Sequence, residues 1–220
     1  MGQDRVETTD IALLRRQCAL ASKLWGRAFS ALTLAALRET DAATLTRLWF
    51  DLTHAHQAES YVPGLKKLGI DRDPPAIAAA KYHYFSNAIG GLAMEYVEES
   101  PKKVWIRYVA PSWTYAGTAL AGLPRGVRRF GTFASWHPFN GMFMGCPRLG
   151  WVLTKLMDEG EPCDEGYFIE HDRDLAPEER MRYEVAPRTP EFDPAKAPQL
   201  DLAQWPEPRQ LKARRGYARG

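Results

Sequence analysis

The stretch 135–150 concentrates residue types that do chemistry: Ser135-Trp136-His137-Pro138-Phe139-Asn140, then Gly141, Gly145, Cys146-Pro147-Arg148 and Gly150. An imidazole titrates near neutrality, so His137 is a candidate general acid or base. Cys146 could attack as a thiolate, and Arg148 could hold a carboxylate through two parallel hydrogen bonds. Asn140 adds a donor and an acceptor, and the glycines let backbone approach a ligand closely. The same residues also fit a plain structural role, with His137 in a turn and Met142, Phe143 and Met144 in a core.

A second group is Cys163-Asp164-Glu165 with Glu170, His171 and Asp172. On a strand, Glu165, Tyr167, Ile169 and His171 share one face and Asp164, Phe168 and Glu170 the other, so Glu165 can flank a ligand or simply meet solvent. Arg107 lies on a strand pattern beside Trp105 and Tyr108. It either anchors an anionic substrate or pairs across a hairpin with Glu95 or Glu98. His83, in Lys81-Tyr82-His83-Tyr84-Phe85-Ser86-Asn87, either faces a pocket with Tyr82 and Asn87 or belongs to an aromatic core stripe. His54 and His56 lie about 200° apart on a helix, unlike the i, i+4 spacing that brings two imidazoles to one metal, and no metal site is expected. The sequence holds no GxGxxG after a strand, P-loop, GxSxG or HExxH, and no cofactor is expected.

These residues need a scaffold, and the hydrophobic period supplies one. Apolar residues at helical spacing predict a helix over 10–39, capped by Thr9 or Asp10, and a second from the Asp41 cap towards Tyr61, ended by Pro63-Gly64. Asp73-Pro74-Pro75 reads as the capped start of a third helix running to Gly90-Gly91. Beyond that glycine pair the period falls to two. Met94–Glu98 and Val104–Val109 form a hairpin about Glu99-Ser100-Pro101-Lys102, and Trp151–Met157 and Gly166–His171 form another about 158–162. A Pro/Gly-rich connection over 111–131 carries Trp113 and Tyr115, a helix is expected over 133–144, and a short strand over 183–185. From Ala186 six prolines mark an extended arm, in which Phe192, Leu200, Leu202 and Trp205 call for a surface on this subunit or a neighbour. The expected fold is α+β: N-terminal helices (1–90) packed on an antiparallel sheet of two hairpins (91–185) in one domain, followed by the arm (186–220).

The balance of charge, 29 Lys+Arg against 27 Asp+Glu in 220 residues, gives no bulk field towards nucleic acid or an anionic membrane, and neither is expected as a partner. Only Lys212, Arg214, Arg215 and Arg219 form a basic block. Three scattered cysteines form no CxxC pair, which disfavours a disulfide framework or structural zinc and fits a reducing, cytoplasmic compartment. No uncharged stretch approaches the ~20 residues of a membrane span.

The run Asp158-Glu159-Gly160-Glu161-Pro162-Cys163-Asp164-Glu165-Gly166-Tyr167-Phe168, acidic residues with Gly, Pro and Cys leading into an aromatic strand, resembles an element near the end of two related kinds of domain. These are the L-2-amino-thiazoline-4-carboxylate hydrolase-like domains and the four-vinyl-reductase ligand-binding domains, and the similarity spans about residues 75–172. It implies a small-molecule pocket between sheet and helices and, for the hydrolase branch, opening of a cyclic C–N bond. The expectation is therefore a small-molecule enzyme, a hydrolase of a carboxylate-bearing substrate. Its pocket is lined by Trp105, Trp113, Tyr115, Trp136 and Phe139, with His137 as acid/base, Cys146 or a water as nucleophile, and Arg107 or Arg148 as anchor. The alternative is a non-catalytic ligand-binding or assembly subunit, and the arm would join copies into a homo-oligomer.

Overall fold

The computed structural model describes residues 10–110, 122–185 and 188–217. Trp113 and Tyr115 lie outside them. Three helices come first: α1 (Ile11–Glu39), α2 (Ala42–Leu68) and α3 (Pro75–Gly90). Asp10 and Asp41 cap the first two by accepting from the backbone N–H of Leu13 and Thr44. Pro63-Gly64 does not end α2, contrary to the sequence reading. The helix runs on to a left-handed Gly69 (φ 73°), whose N–H bonds the carbonyls of Leu65 and Lys66. The reason is tertiary: Tyr61 and Leu65 are buried in one cluster with Ala78 and Phe85 of α3, which offsets the hydrogen bond that Pro63 cannot make. Gly64 is where the Tyr82 ring approaches the α2 backbone, and a Cβ there would collide with it. Asp73 does not cap α3 either, because its carboxylate is taken by Lys81 at 2.7 Å.

The sheet contains β1 (Ala93–Ser100), β2 (Lys103–Val109), β3 (Leu149–Lys155), β4 (Cys163–Glu170) and β5 (Met181–Tyr183), in the order β1-β2-β4-β3-β5. All neighbours are antiparallel except β5, which joins β3 in parallel, so the sheet is mostly but not wholly antiparallel. The α+β reading holds. One face carries Tyr96, Val104, Ile106, Tyr108, Leu149, Trp151, Leu153 and Phe168, and onto it pack Ala76, Ile77, Ala79 and Ala80 of α3. The alanines let the helix lie close, and Gly166 leaves room for the Trp151 indole across β4.

Instead of one helix over 133–144, the chain makes a broken helical passage. Its parts are a π-helical turn Arg128–Phe133, an α turn Ala134–Trp136, a 3₁₀ turn His137–Phe139 and an α turn Asn140–Phe143. Pro138 has no N–H for the ladder, and the changes of pitch are how the chain passes it. The arm turns back on its own chain. It ends in α4 (Glu207–Tyr217), which the sequence reading did not expect, packed on α1 and α3. Trp205 is buried, Cys18 Sγ donates to the Leu211 carbonyl at 3.0 Å, and Arg15 pairs with Glu207 at 2.6 Å. No helix among the described residues is long and apolar enough to cross a membrane.

Candidate functional site

The broken passage 128–143 presses its side chains between α2, α3 and the sheet, and a polar cluster forms there inside the apolar core. Gln57 Nε2 donates to Asn140 Oδ1 at 2.9 Å, which turns the Asn140 amide towards His83 Nε2 at 2.7 Å. The atom facing His83 is Asn140 Nδ2, which can only donate, so His83 accepts at Nε2 and is neutral. His137 Nε2 meets the Tyr108 hydroxyl at 2.9 Å. The His137 ring stacks on His83 and on Trp151, each with 4.2 Å between centroids. Around them Trp136 Nε1 donates to the Thr53 carbonyl at 2.9 Å, and Thr53 bonds Ser135.

His83 and His137 are 2% and 1% exposed. Burial drives the His83 pKa down to about 3. Burial, with His83 alongside, holds His137 well below the usual imidazole range, and the Phe133 carbonyl offsets this only slightly. Its Nδ1 forms no well-aligned hydrogen bond with that carbonyl. Both imidazoles are therefore uncharged throughout the neutral range.

The strand alternation puts Glu165, with Arg107 beside it, on the opposite face of the sheet, while Asp164 stays on the helix-covered side with Arg128. Arg107 bonds Glu165 across β2 and β4, Glu95 across β1 and β2 at 2.6 Å, and the Pro190 carbonyl of the arm. Glu165 also accepts from Thr154 at 2.8 Å and Thr189 at 3.1 Å, and Lys155 lies 3.2 Å away. Burial opposes the charge on Glu165, but the Arg107 and Thr154 bonds prevail and lower its pKa. Next to this knot lie Trp105, Val152 and Tyr167, and the Trp105 indole donates to Glu99 at 2.8 Å.

The structure thus brings together His83, His137, Asn140 and Trp136 on the helix-covered side, and Arg107, Glu165 and Trp105 on the other. Arg148 belongs to neither. It pairs with Glu170 at 2.8 Å near the surface. Cys146 is buried in the core cluster, at the turn where its N–H meets the Gly141 carbonyl at 2.7 Å. Cys163 is also buried, and desolvation together with Glu165 pushes its thiol up to about 11. His54 is half-buried with Nδ1 3.3 Å from the Ser135 carbonyl, whereas His56 is exposed. Among the described residues no three His, Cys, Asp or Glu side chains are placed to hold a metal ion together.

A feature the sequence reading missed is a shallow depression of about 470 Å³ at the N-terminal half of α2, comparable in volume to small-molecule sites but largely open to solvent. Ala42, Ala43, Thr46, Phe50 and Phe130 supply its apolar walls, with Arg47 and Arg125 alongside. Arg47 Nε bonds Asp51 at 2.8 Å, while Arg125 makes no ion pair among the described residues. The nearest sequence signal was the run Arg125, Arg128 and Arg129. It could not be split, because Arg128 turns inward to Asp164 and Arg129 goes to Glu159. Phe50 also leads inward: it stacks on His54 at 5.7 Å, and His54 meets Phe139 at 4.4 Å, so aromatic contacts join the hollow to the passage carrying His137.

No family model, curated protein or solved structure matches the chain.

Proposed function

We propose that this chain is a small-molecule-binding protein that holds an aromatic or otherwise apolar carboxylate in the hollow between α2 and Gly126–Phe130. The observation that supports it most is the pairing of ligand-sized apolar walls with two guanidinium groups, Arg47 and the exposed Arg125. Phe50 and Phe130 take the hydrophobic body of the ligand, and Arg125 takes its charge in bidentate fashion, with Arg47 beside it already held by Asp51.

The hydrolytic reading finds less support. An acid–base residue works best with a pKa near the operating pH, and desolvation keeps His137 far below that. Arg107 spends its donors on Glu95, Glu165 and Pro190, and Tyr108, the residue beside it on β2, is the one that meets His137. His137 and Arg107, one of its two expected anchors, therefore face opposite sides of one sheet, and the other, Arg148, pairs with Glu170 near the surface.

A thermal-shift screen of benzoate-like and heterocyclic carboxylates tests the reading, since a ligand that binds only the native state raises its melting temperature. A hit is expected to weaken about tenfold or more in Arg125→Gln and to survive in His137→Gln. A hit lost in His137→Gln but kept in Arg125→Gln, together with turnover of a cyclic C–N substrate, would reverse the choice.

A further inference from the structure

Helix α1 is built inside out. Its buried residues are Leu14, Cys18, Ser22, Gly26, Ser30 and Thr33, mostly small or polar, whereas Leu13, Leu20, Leu24, Trp25 and Leu32 are 44–69% exposed. At about 100° per residue, Leu13, Leu20 and Leu24 fall within about 40° of one another, roughly opposite the buried Ser22. Trp25 and Leu32 are exposed about 100–120° further round, on the side where Leu14 is buried and Gln17 meets Arg215 of α4, so they are not part of the leucine stripe. A helix in a globular protein normally turns a stripe such as Leu13, Leu20 and Leu24 to the core.

The charge on this helix is as one-sided as its apolar surface. Residues 11–38 contain Arg15, Arg16, Lys23, Arg27 and Arg38 and no Asp or Glu. Arg15 is paired with Glu207 and Arg38 with Glu39. Arg16, Lys23 and Arg27 are exposed, lie about 60° round from the leucine stripe, and make no ion pair among the described residues. Two copies meeting antiparallel through this face would set these cations against each other. The overall charge of +2 hides this concentration, because it averages α1 with the acidic remainder of the chain.

We propose that the outer face of α1 is a docking surface for an anionic lipid bilayer, on which the helix lies in the plane of the headgroups. The leucines enter the acyl boundary, and Arg16, Lys23 and Arg27 meet lipid phosphates. This is attachment to a surface, which needs no spanning helix, and it is independent of the hollow on α2.

The test is co-sedimentation of the full chain with vesicles of phosphatidylcholine alone and of phosphatidylcholine mixed equally with phosphatidylglycerol. Binding is expected only to the mixed vesicles and should fall as salt rises. Each basic residue near an anionic surface contributes about fivefold, so Arg16→Gln/Lys23→Gln/Arg27→Gln is expected to weaken binding on the order of a hundredfold. Leu20→Ser/Leu24→Ser should abolish it. All five positions are exposed, so circular dichroism and melting temperature should stay near wild type. Absence of binding to the mixed vesicles, or binding unchanged in either variant, overturns the proposal. So does a dimer in sedimentation equilibrium that Leu20→Ser/Leu24→Ser dissociates, because the face would then belong to a second copy.

Discussion

Lowering the pH from 7 to 5 is expected to destabilise this protein through the two imidazoles locked in its core. The unfolded chain binds a proton at each of them with a pKa near 6.5, while in the native state His83 is held at about 3 and His137 well below its ordinary value. For a histidine with a depressed native pKa, the unfolded state takes up more protons, so stability is intact above about 6.5 and is lost as pH falls below it. At pH 5 the loss from His83 alone is about 2 kcal/mol, already a sizeable share of the 5–15 kcal/mol of a typical domain, and His137 adds to it in the same direction. Urea titrations at pH 7 and 5, followed by Trp fluorescence, measure it. The slope should approach two protons per molecule below pH 6, which lies above the titration range of most carboxylates. His83→Gln should remove its own share of about 2 kcal/mol, and a smaller part belongs to His171, which burial also shifts downwards. Equal stability at the two pH values would refute the neutral, sealed state of the pair.

Arg107→Met should cost about 3–5 kcal/mol in chemical denaturation, because it leaves the fully buried Glu165 carboxylate without its main partner, and Arg107→Met/Glu165→Met should recover most of that loss. Asp41→Ala, which deletes the cap on α2, should cost about 1 kcal/mol and lower the melting temperature by a few degrees. Gly69→Ala should cost about 1–2 kcal/mol: nothing crowds the site, so only the left-handed φ of 73° opposes a side chain. Trp205→Ala should release α4 from α1, seen as faster proteolysis after Arg209 and Lys212 with the sheet still folded.

The N-terminal helices and the first hairpin were the most legible, because α1 and α2 begin at aspartate caps and the apolar residues of β1 and β2 recur at every second position about a turn. Local signals failed where a distant contact outweighed them. Pro63-Gly64 looks like a stop until Tyr82 is placed against Gly64, and Asp73 looks like a cap until Lys81 competes for it. The π and 3₁₀ turns of 128–143 follow from a missing N–H at Pro138 and from burial of Phe133, His137 and Asn140 together, which no window of sequence contains. For the site, the sequence grouped Trp136, His137 and Asn140 in one stretch and offered His83 as a pocket or core residue, and the structure sets the His83 and His137 rings 4.2 Å apart in the core. The sequence could not show that His137 and Arg107 lie across a sheet from each other, since that depends on which residues of β2 face α3. The hollow was invisible because Ala42, Phe50, Arg125 and Phe130 are far apart along the chain. Trp25 and Leu32 of α1, which are exposed, were counted in the helical periodicity, which does not say which side is the inside.

The most direct test of ligand binding in the α2 hollow is an amide chemical-shift map of the isotopically labelled protein titrated with an aromatic carboxylate. Saturable shifts are expected over Ala42–Phe50 and Arg125–Phe130. Shifts centred instead on His83, His137, Asn140 and Trp151, or none at any concentration of a ligand that raises the melting temperature, would contradict the account.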